Sequence, residues 1–478
     1  MQTVDLLVQG HNVLNVFARR FEPNQLWIDQ GKIIATGEQD LQARETYDAK
    51  EQYVVPGFID SHVHVESSLL VPSELAKVIL PKGTTTIFTD PHEIGNVAGA
   101  AGVQYMIDDA RQTPLDVDVM LPSSVPATPF EHNGATLNAS DLRPFYDEPE
   151  VKGLAEVMDY PAVEKREPGI MAKINDALSR GYQVDGHGAG FTRHMLDTYR
   201  QVGINTDHES VDLQQIQDRL AEGFNIFLRE GTVERDLQNT IQVVNEGNAQ
   251  QFSFCTDDKF VNTLLDEGGI NDCIRLAIQF GIRPETAYTM ASYNAALSHR
   301  VANLGMLNPN AAADLVVVSD PYQVDVQRVM KAGKWVGDAD FNTQPLPFAH
   351  NSIHHHVTMA DLVLPLTGSH PKCNVIGIQN NHIETDHLVC EVPVKDGQFS
   401  ADLEHDILKM VVVERHHDLG TVGVGLVHGF NIKAGAVATT IAHDSHNLVV
   451  VGTNYAAIYR AIQAVTQAGG GISVVDDE

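Results

Sequence analysis

With 478 residues the chain is too long for one hydrophobic core and predicts two or three domains. Its 63 acidic and 32 basic residues leave a net charge of −31, a field that repels phosphate backbones and anionic lipid. Nucleic acid and membrane surfaces are therefore excluded as partners, and a neutral or cationic small molecule stays compatible.

The four cysteines, at 255, 273, 373 and 390, lack the short spacing of a thiolate metal site and are too sparse for a disulfide framework. No run reaches the ~18 apolar residues of a membrane span. Both features predict a cytoplasmic protein.

In chain order, residues 3 to 54 carry alternating runs such as "QLWIDQGKIIATG", which read as hairpins. "FIDSHVHVESS" follows. On a strand, alternate side chains share a face, so Asp60, His62, His64 and Glu66 point one way and Ile59, Ser61, Val63 and Val65 the other. Four proton-active groups on one side of a β-branched strand are costly to bury unless something satisfies them, and a metal ion would.

The pattern of a β-rich run, a polar cluster and a helical stretch then repeats. The runs are "GFIDSHVH", "TTTIFTDPHE", "DVDVMLPSSVP", "GLAEVMDY", "YQVDGHG", "GINTDHES", "FNIFLREG" and "FSFCTDD". Intervening stretches such as "IMAKINDALSRG" and "LQQIQDRLAEG" are amphipathic and close on glycine. Eight such units predict an α/β fold, a (β/α)8 TIM-like barrel over 55–299, with its chemistry at the C-terminal strand ends.

After the barrel, "AAADLVVVSD" and "VMKAGKWVGD" resemble the opening hairpins, so 1–54 and 300–345 are expected to form one small flanking β domain. "NTQPLPFAHNSIHHH" reads as a linker with His354, His355 and His356 exposed. A β-rich α+β domain is expected over 346–478.

The strand-end clusters supply His62, His64, Glu156, His187, His208 and Asp257, which a barrel points at one axis. Four imidazoles and two carboxylates without a thiolate suit Mn, Fe or Zn in a paired site. Asp90, His92 and Glu93 in "TDPHEIGNV" are candidates for substrate contact or an additional metal, or form a hydrogen-bonded loop cap. Arg229 and Glu230 either touch substrate or form a solvated pair.

These motifs resemble the amidohydrolase superfamily and, within it, the bacterial adenine deaminase family. The resemblance rests on "VVPGFIDSHVHVESS", "TTTIFTDPHEIGNV", "VPATPFE", "GLAEVMDYP", "DGHGAG", "TDHES" and "FCTDD", with "ERHHDLGTVGVGLVHGF" and "IAHDSHNLVVVGTN" near the end. It implies two divalent cations, Mn or Fe before Zn, held by His62, His64, Glu156, His187, His208 and Asp257. Glu156 stands where many amidohydrolases carry a bridging carboxylated lysine. Two departures touch loops only: Ser124 where the family often has cysteine, and Gly188 where another small residue is expected.

The implied substrate is adenine, attacked at C6 by metal-activated hydroxide to give hypoxanthine and ammonia. Asp257 and Glu209 would carry protons, and His92, Arg229, Asp444 and His446 would bind substrate. A homo-oligomer, dimer or larger, is expected. Adjacent strand residues face opposite ways, so only one of Asp257 and Asp258 looks into the barrel mouth; the resemblance implies Asp257, since the superfamily places this residue in the threonine-aspartate pair.

Three rivals are weighed. His64-Val65-Glu66 fits half of the cytidine-type zinc motif, but the required P-C-x-x-C is missing. A cyclic amide hydrolase, acting on a hydantoin or dihydropyrimidine ring, would call for a bridging lysine. An inactive barrel scaffold should have lost ligands.

Overall fold

A computed structural model describes residues 2–337, 341–342, 345, 352–381 and 383–476. The chain divides into two compact units. One comprises Met1–His92, Val103–Ser124 and Leu137–Pro345; the other comprises Glu93–Gly102, Val125–Thr136 and Leu346–Glu478. Segments 93–102 and 125–136, which chain order alone puts in the barrel, are thus grouped with the C-terminal residues.

In the first unit β1 (Gln2–Asn15), β2 (Arg20–Asp29), β3 (Lys32–Thr36), β4 (Leu41–Asp48) and β5 (Tyr53–Pro56) come before the barrel strands. Those are β6 (Phe58–Val63), β7 (Thr84–Thr89), β8 (Asp116–Leu121), β9 (Val151–Val157), β10 (Gln183–Gly186), β11 (Thr206–Asp207), β12 (Asn225–Arg229) and β13 (Phe252–Cys255). After them come β14 (Leu315–Val318), β15 (Val326–Lys331) and β16 (Lys334–Trp335).

The flanking strands share one sheet, in the order β16-β15-β14-β5-β1-β2-β3 with β4 paired to β1. Strand β14 pairs antiparallel with β5, joining the two chain ends of the barrel. Its core is apolar on the strand period: Leu6, Val8, Leu26 and Ile28 meet Leu315, Val317 and Met330.

The barrel strands run parallel in two hydrogen-bonded arcs, β6 to β10 and β11 to β13. All six residues of β6 and of β7 are buried, as expected of strands covered on both faces. At one seam Asp257 N donates to His62 O (2.9 Å) and His64 N to Asp257 O (3.2 Å), joining the first strand to the last. At the other, Thr206 Oγ1 donates to Asp185 Oδ1 (2.7 Å) and accepts from Gly186 N (3.4 Å). Helices such as Pro72–Ile79, Pro168–Ser179 and Leu213–Ala221 fill the connections.

In the second unit β17 (Lys372–Ile378), β18 (Thr385–Glu391), the short pair β19 (Val394–Lys395) and β20 (Gln398–Phe399), β21 (Ile407–Val413), β22 (Val422–His428), β23 (Ala436–Thr439), β24 (Leu448–Gly452) and β25 (Ile472–Val475) follow in order. Seven of them form a sheet, β18-β17-β22-β21-β24-β23-β25. Helix Tyr455–Ala468 packs Ala457, Ile458, Ala461 and Ile462 against Val411, Val413, Leu448 and Val450. Asn454 caps it by accepting from Ala457 N (2.8 Å), and Gly469 ends it in the left-handed region.

The histidine run differs from its expected free linker. Ile353 and Val357 are buried in this core, His355 Nε2 lies 2.8 Å from Thr466 Oγ1, and His356 Nδ1 lies 2.6 Å from Asp418 Oδ1. Alternate apolar residues draw the segment inward, while His354 and His356 stay exposed. Residues 343–344 and 346–351 of the expected linker lie outside the described residues.

Candidate metal centre

The barrel brings all six expected ligands together, five of them buried and His187 half-buried. His62 is the last residue but one of β6 with His64 just beyond the strand, Glu156 is the last but one of β9, His187 and His208 follow β10 and β11, and Asp257 follows β13. Asp257 Oδ1 lies 3.5 Å from His62 Nε2 and 3.2 Å from His64 Nε2. Glu156 faces two ways: Oε1 is 3.4 Å from His64 Nε2, while Oε2 is 2.7 Å from His187 Nδ1 and 3.3 Å from His208 Nε2. A carboxylate with one oxygen toward each of two imidazole sets has the geometry of a bridge.

The imidazoles are prepared as ligands. His64 Nδ1 lies 3.0 Å from Asp90 O, and a carbonyl only accepts, so Nδ1 carries the proton and Nε2 presents its lone pair. His208 Nε2 is buried 3.1 Å from Glu209 Oε1 but is aligned for a hydrogen bond with no neighbour. That nitrogen stands among carboxylate oxygens, 3.3 Å from Glu156 Oε2 and 3.1 Å from Glu209 Oε1. Asp257 takes up a left-handed backbone (φ 51°) that turns its side chain into the cluster. Asp258 accepts from Ser67 Oγ (2.5 Å) instead, so the two aspartates diverge.

Charge states follow from partners rather than burial. Burial opposes ionisation of Glu156, yet His187, His208 and His64 hold its carboxyl well below the usual range. Asp257 is likewise held well below, by His62, His64, His208 and Arg229 against burial. Burial also opposes Glu209, and Arg229 and His187 bring it down to about 2. His187 resists burial through Glu209 and Glu156 and rises to about 9. The cluster holds anionic oxygens in a water-poor space, which suits cations.

The other expected residues fall differently. His92 Nδ1 lies 3.0 Å from Asp90 Oδ2 and 3.7 Å from Glu156 Oε1, so this residue borders the ligands. Arg229 is buried, and its nitrogens are committed: Nη1 to Glu209 (2.7 Å) and Asp257 (2.9 Å), Nε and Nη2 to Asp236. These bonds make it a clamp on three carboxylates. Glu230 is also buried, not a solvated partner, and burial pushes its carboxyl up to about 7. Asp444 and His446 belong to the second unit, between β23 and β24.

Asp60 shares the face of His62 but accepts from Thr256 N (3.0 Å) and Oγ1 (2.5 Å), bracing β6 against β13. Glu66 leaves the strand period altogether, in a short turn at Val65–Ser68. The two departures are structural. Gly188 N donates to Asp207 Oδ1 (2.7 Å), and a Cβ there would lie 2.6 Å from that oxygen. Ser124 Oγ accepts from Met158 N (3.2 Å), next to the strand that carries Glu156. Asp236 escaped sequence reasoning because a lone aspartate beyond β12 gives no signal until Arg229 turns toward it.

Comparison with known proteins agrees with this geometry. The amidohydrolase family matches residues 53–336, and the adenine deaminase C-terminal domain matches 382–478. A protein of Lactiplantibacillus plantarum named adenine deaminase is 54% identical over 100% of this chain and 84% of its own length. One of Listeria innocua with the same name is 48% identical over 99% of this chain and 82% of its own.

Among solved structures, N-acetyl-D-glucosamine-6-phosphate deacetylase of Mycobacterium smegmatis aligns with TM-score 0.53 at 19% identity, covering 70% of this chain and 100% of that one. Beta-aspartyl dipeptidase of Fervidobacterium islandicum aligns with TM-score 0.53 at 16%, covering 71% and 99%. These two show the fold alone. The chain belongs to the amidohydrolase family, among its adenine deaminase members.

Proposed function

We propose that the protein hydrolyses adenine to hypoxanthine and ammonia at two divalent cations, Mn or Fe with Zn as the third candidate. The observation that carries the paired site is Glu156, whose two oxygens address separate imidazole sets. The substrate rests on relatives that bear the name over nearly the whole chain. His62, His64, Asp257 and Glu156 would hold one ion, and Glu156, His187 and His208 the other. Such ions lower the pKa of water and supply hydroxide near neutral pH.

The chain's own groups manage the protons. Water oxygen bonds to C6 as the bond from C6 to the exocyclic nitrogen breaks; one water proton ends on the departing ammonia and the other on the ring. Asp257 is placed to accept the first proton and pass it on, because an unprotonated amide ion is a very poor leaving group. Glu209, beside His187 and His208, is the second carrier. Arg229 holds both carboxylates in place and ionised. His92, oriented by Asp90, is assigned to the purine.

Ammonia release from adenine, assayed beside ring opening of dihydrouracil, tests the reading. Turnover of adenine alone is expected. Ring opening without ammonia release would replace it with cyclic amide hydrolysis. The four free cysteines support a reducing, cytoplasmic setting, and no described helix is long and apolar enough to cross a membrane.

A further inference from the structure

At the start of helix Tyr455–Ala468 the second unit has a cavity of about 380 Å³ that the reaction above does not use. Its walls are Lys409 of β21, the residues Lys395, Asp396, Phe399 and Ser400 in and just beyond the β19–β20 hairpin, and the first turn of the helix. All of them belong to one unit. The size is that of a site for a small molecule.

Lys409 is out of place on a core face. The strand period puts it beside Ile407 and Val411, both buried, and it is itself only 3% exposed. Its Nζ donates to Leu362 O (2.9 Å) and stands 3.0 Å from the centre of the Tyr455 ring. The carbonyl takes one of three N–H donors, and neither neighbour carries a full negative charge. Among the described residues no carboxylate offsets this, and burial alone pushes the amine down to about 7. A buried ammonium without a counter-charge is costly, and an anion in the cavity would remove that cost. The helix adds to the same field. Asn454 caps it through Ala457 N, and the earlier N–H groups, which have no intrahelical acceptor, belong to the wall that Thr453, Asn454 and Tyr455 form. Lys395 is a further cation at the wall, against one carboxylate, Asp396, exposed in the hairpin turn. Positive character is thus gathered here in a chain whose net charge is −31.

We propose that this cavity binds a small molecule through an oxyanion, a phosphate or carboxylate group seated between Lys409 and the start of the helix. Both groups offer oxygens that accept from an ammonium and from backbone N–H groups together. Phe399, Tyr455 and Ile458 give the remainder of such a ligand an apolar wall. The site is additional to the metal centre in the barrel and does not depend on adenine being the substrate.

Calorimetric titration of the metal-loaded full chain with inorganic phosphate, and separately with succinate, at constant ionic strength provides the test. At least one of them should saturate one site per chain that Lys409→Met removes; methionine keeps the buried stem and drops the charge. Saturation by phosphate alone assigns a phosphoryl ligand, and saturation by succinate alone a carboxylate. Ser400→Asp sets a carboxylate on the cavity wall with Lys409 intact, so it keeps the test alive if Lys409→Met fails to fold. It should weaken binding by ~10-fold or more. Deamination without added anion should be unchanged in both variants. An anion that settles on the barrel cations instead would bind all three proteins alike, and that result would overturn the proposal, as would the absence of saturable binding for both anions.

Discussion

Two sets of buried acids on the barrel strands are treated in opposite ways. Beyond the C-terminal ends, Glu156, Asp257 and Glu209 are buried but held ionised by imidazoles and Arg229. Near the N-terminal ends of β8 and β9, Asp118 is also buried, and burial pushes its carboxyl up to about 7 against the pull of Lys152, whose Nζ stands 3.6 Å away. Burial is common to both sets and partners are not. Only the cluster rich in imidazole and arginine keeps the negative charge that a metal centre needs; Glu230, at the same strand ends but outside that cluster, is pushed up to about 7 as Asp118 is.

The comparison can be broken first by removing cations. A strong chelator should abolish deamination, and Mn²⁺ or Fe²⁺ should restore it; full activity in thoroughly demetallated protein would end the binuclear reading. Next comes Asp257→Asn, which keeps the shape and one ligand oxygen but accepts no proton. Turnover should fall by ~10²–10⁴ while much of the metal stays. Asp258→Asn, which keeps an oxygen to accept from Ser67 and loses a charge outside the cluster, should remain close to normal in the same kinetic and metal assays.

Arg229→Met tests the clamp. Leaving Asp257, Glu209 and Asp236 without their shared cation should cost ~3–5 kcal/mol of stability, the range for a broken buried ion pair. Denaturant melts would show it, and an unchanged midpoint would remove the clamp from the account.

The smallest effect belongs to the other end. A folded pKa of about 7 for Asp118 lies above the ~3.9 of an unfolded aspartate. The native chain therefore binds the proton more tightly, and its contribution to stability is full below pH ~4 and lost as pH rises toward 7. Asp118→Asn should leave the melting temperature unchanged at pH 4 and raise it at pH 8, by on the order of 2 kcal/mol in stability. A loss at pH 8 would mean that the Lys152 pair outweighs burial.

Much of the barrel end was legible in the sequence because its signals are local. Each candidate ligand closes a β-rich run, and the strand period puts His62 and His64 on one face. The period stops at the strand end, which is why Glu66 turns away and Asp60 braces a neighbour instead of joining the ligands. Arg229 was visible as a strand-end cation, but its bonds to Glu209, Asp257 and Asp236 exist only once three segments meet. Likewise, nothing in "TDPHEIGNV" or "IAHDSHN" alone announces that Glu93 would stand beside His443, since their approach is a product of tertiary folding. The histidine run keeps His354 and His356 exposed as expected, but the buried Ile353 and Val357, which its polar composition hides, decide its path.

The central claim is that Glu156 bridges two cations. Anomalous diffraction from crystals of the Mn²⁺-loaded protein addresses it most directly. The account predicts two strong peaks in the barrel flanking the Glu156 carboxylate, one against His62, His64 and Asp257 and the other against His187 and His208. A single barrel peak, with Glu156 ligating one ion or none, would contradict it.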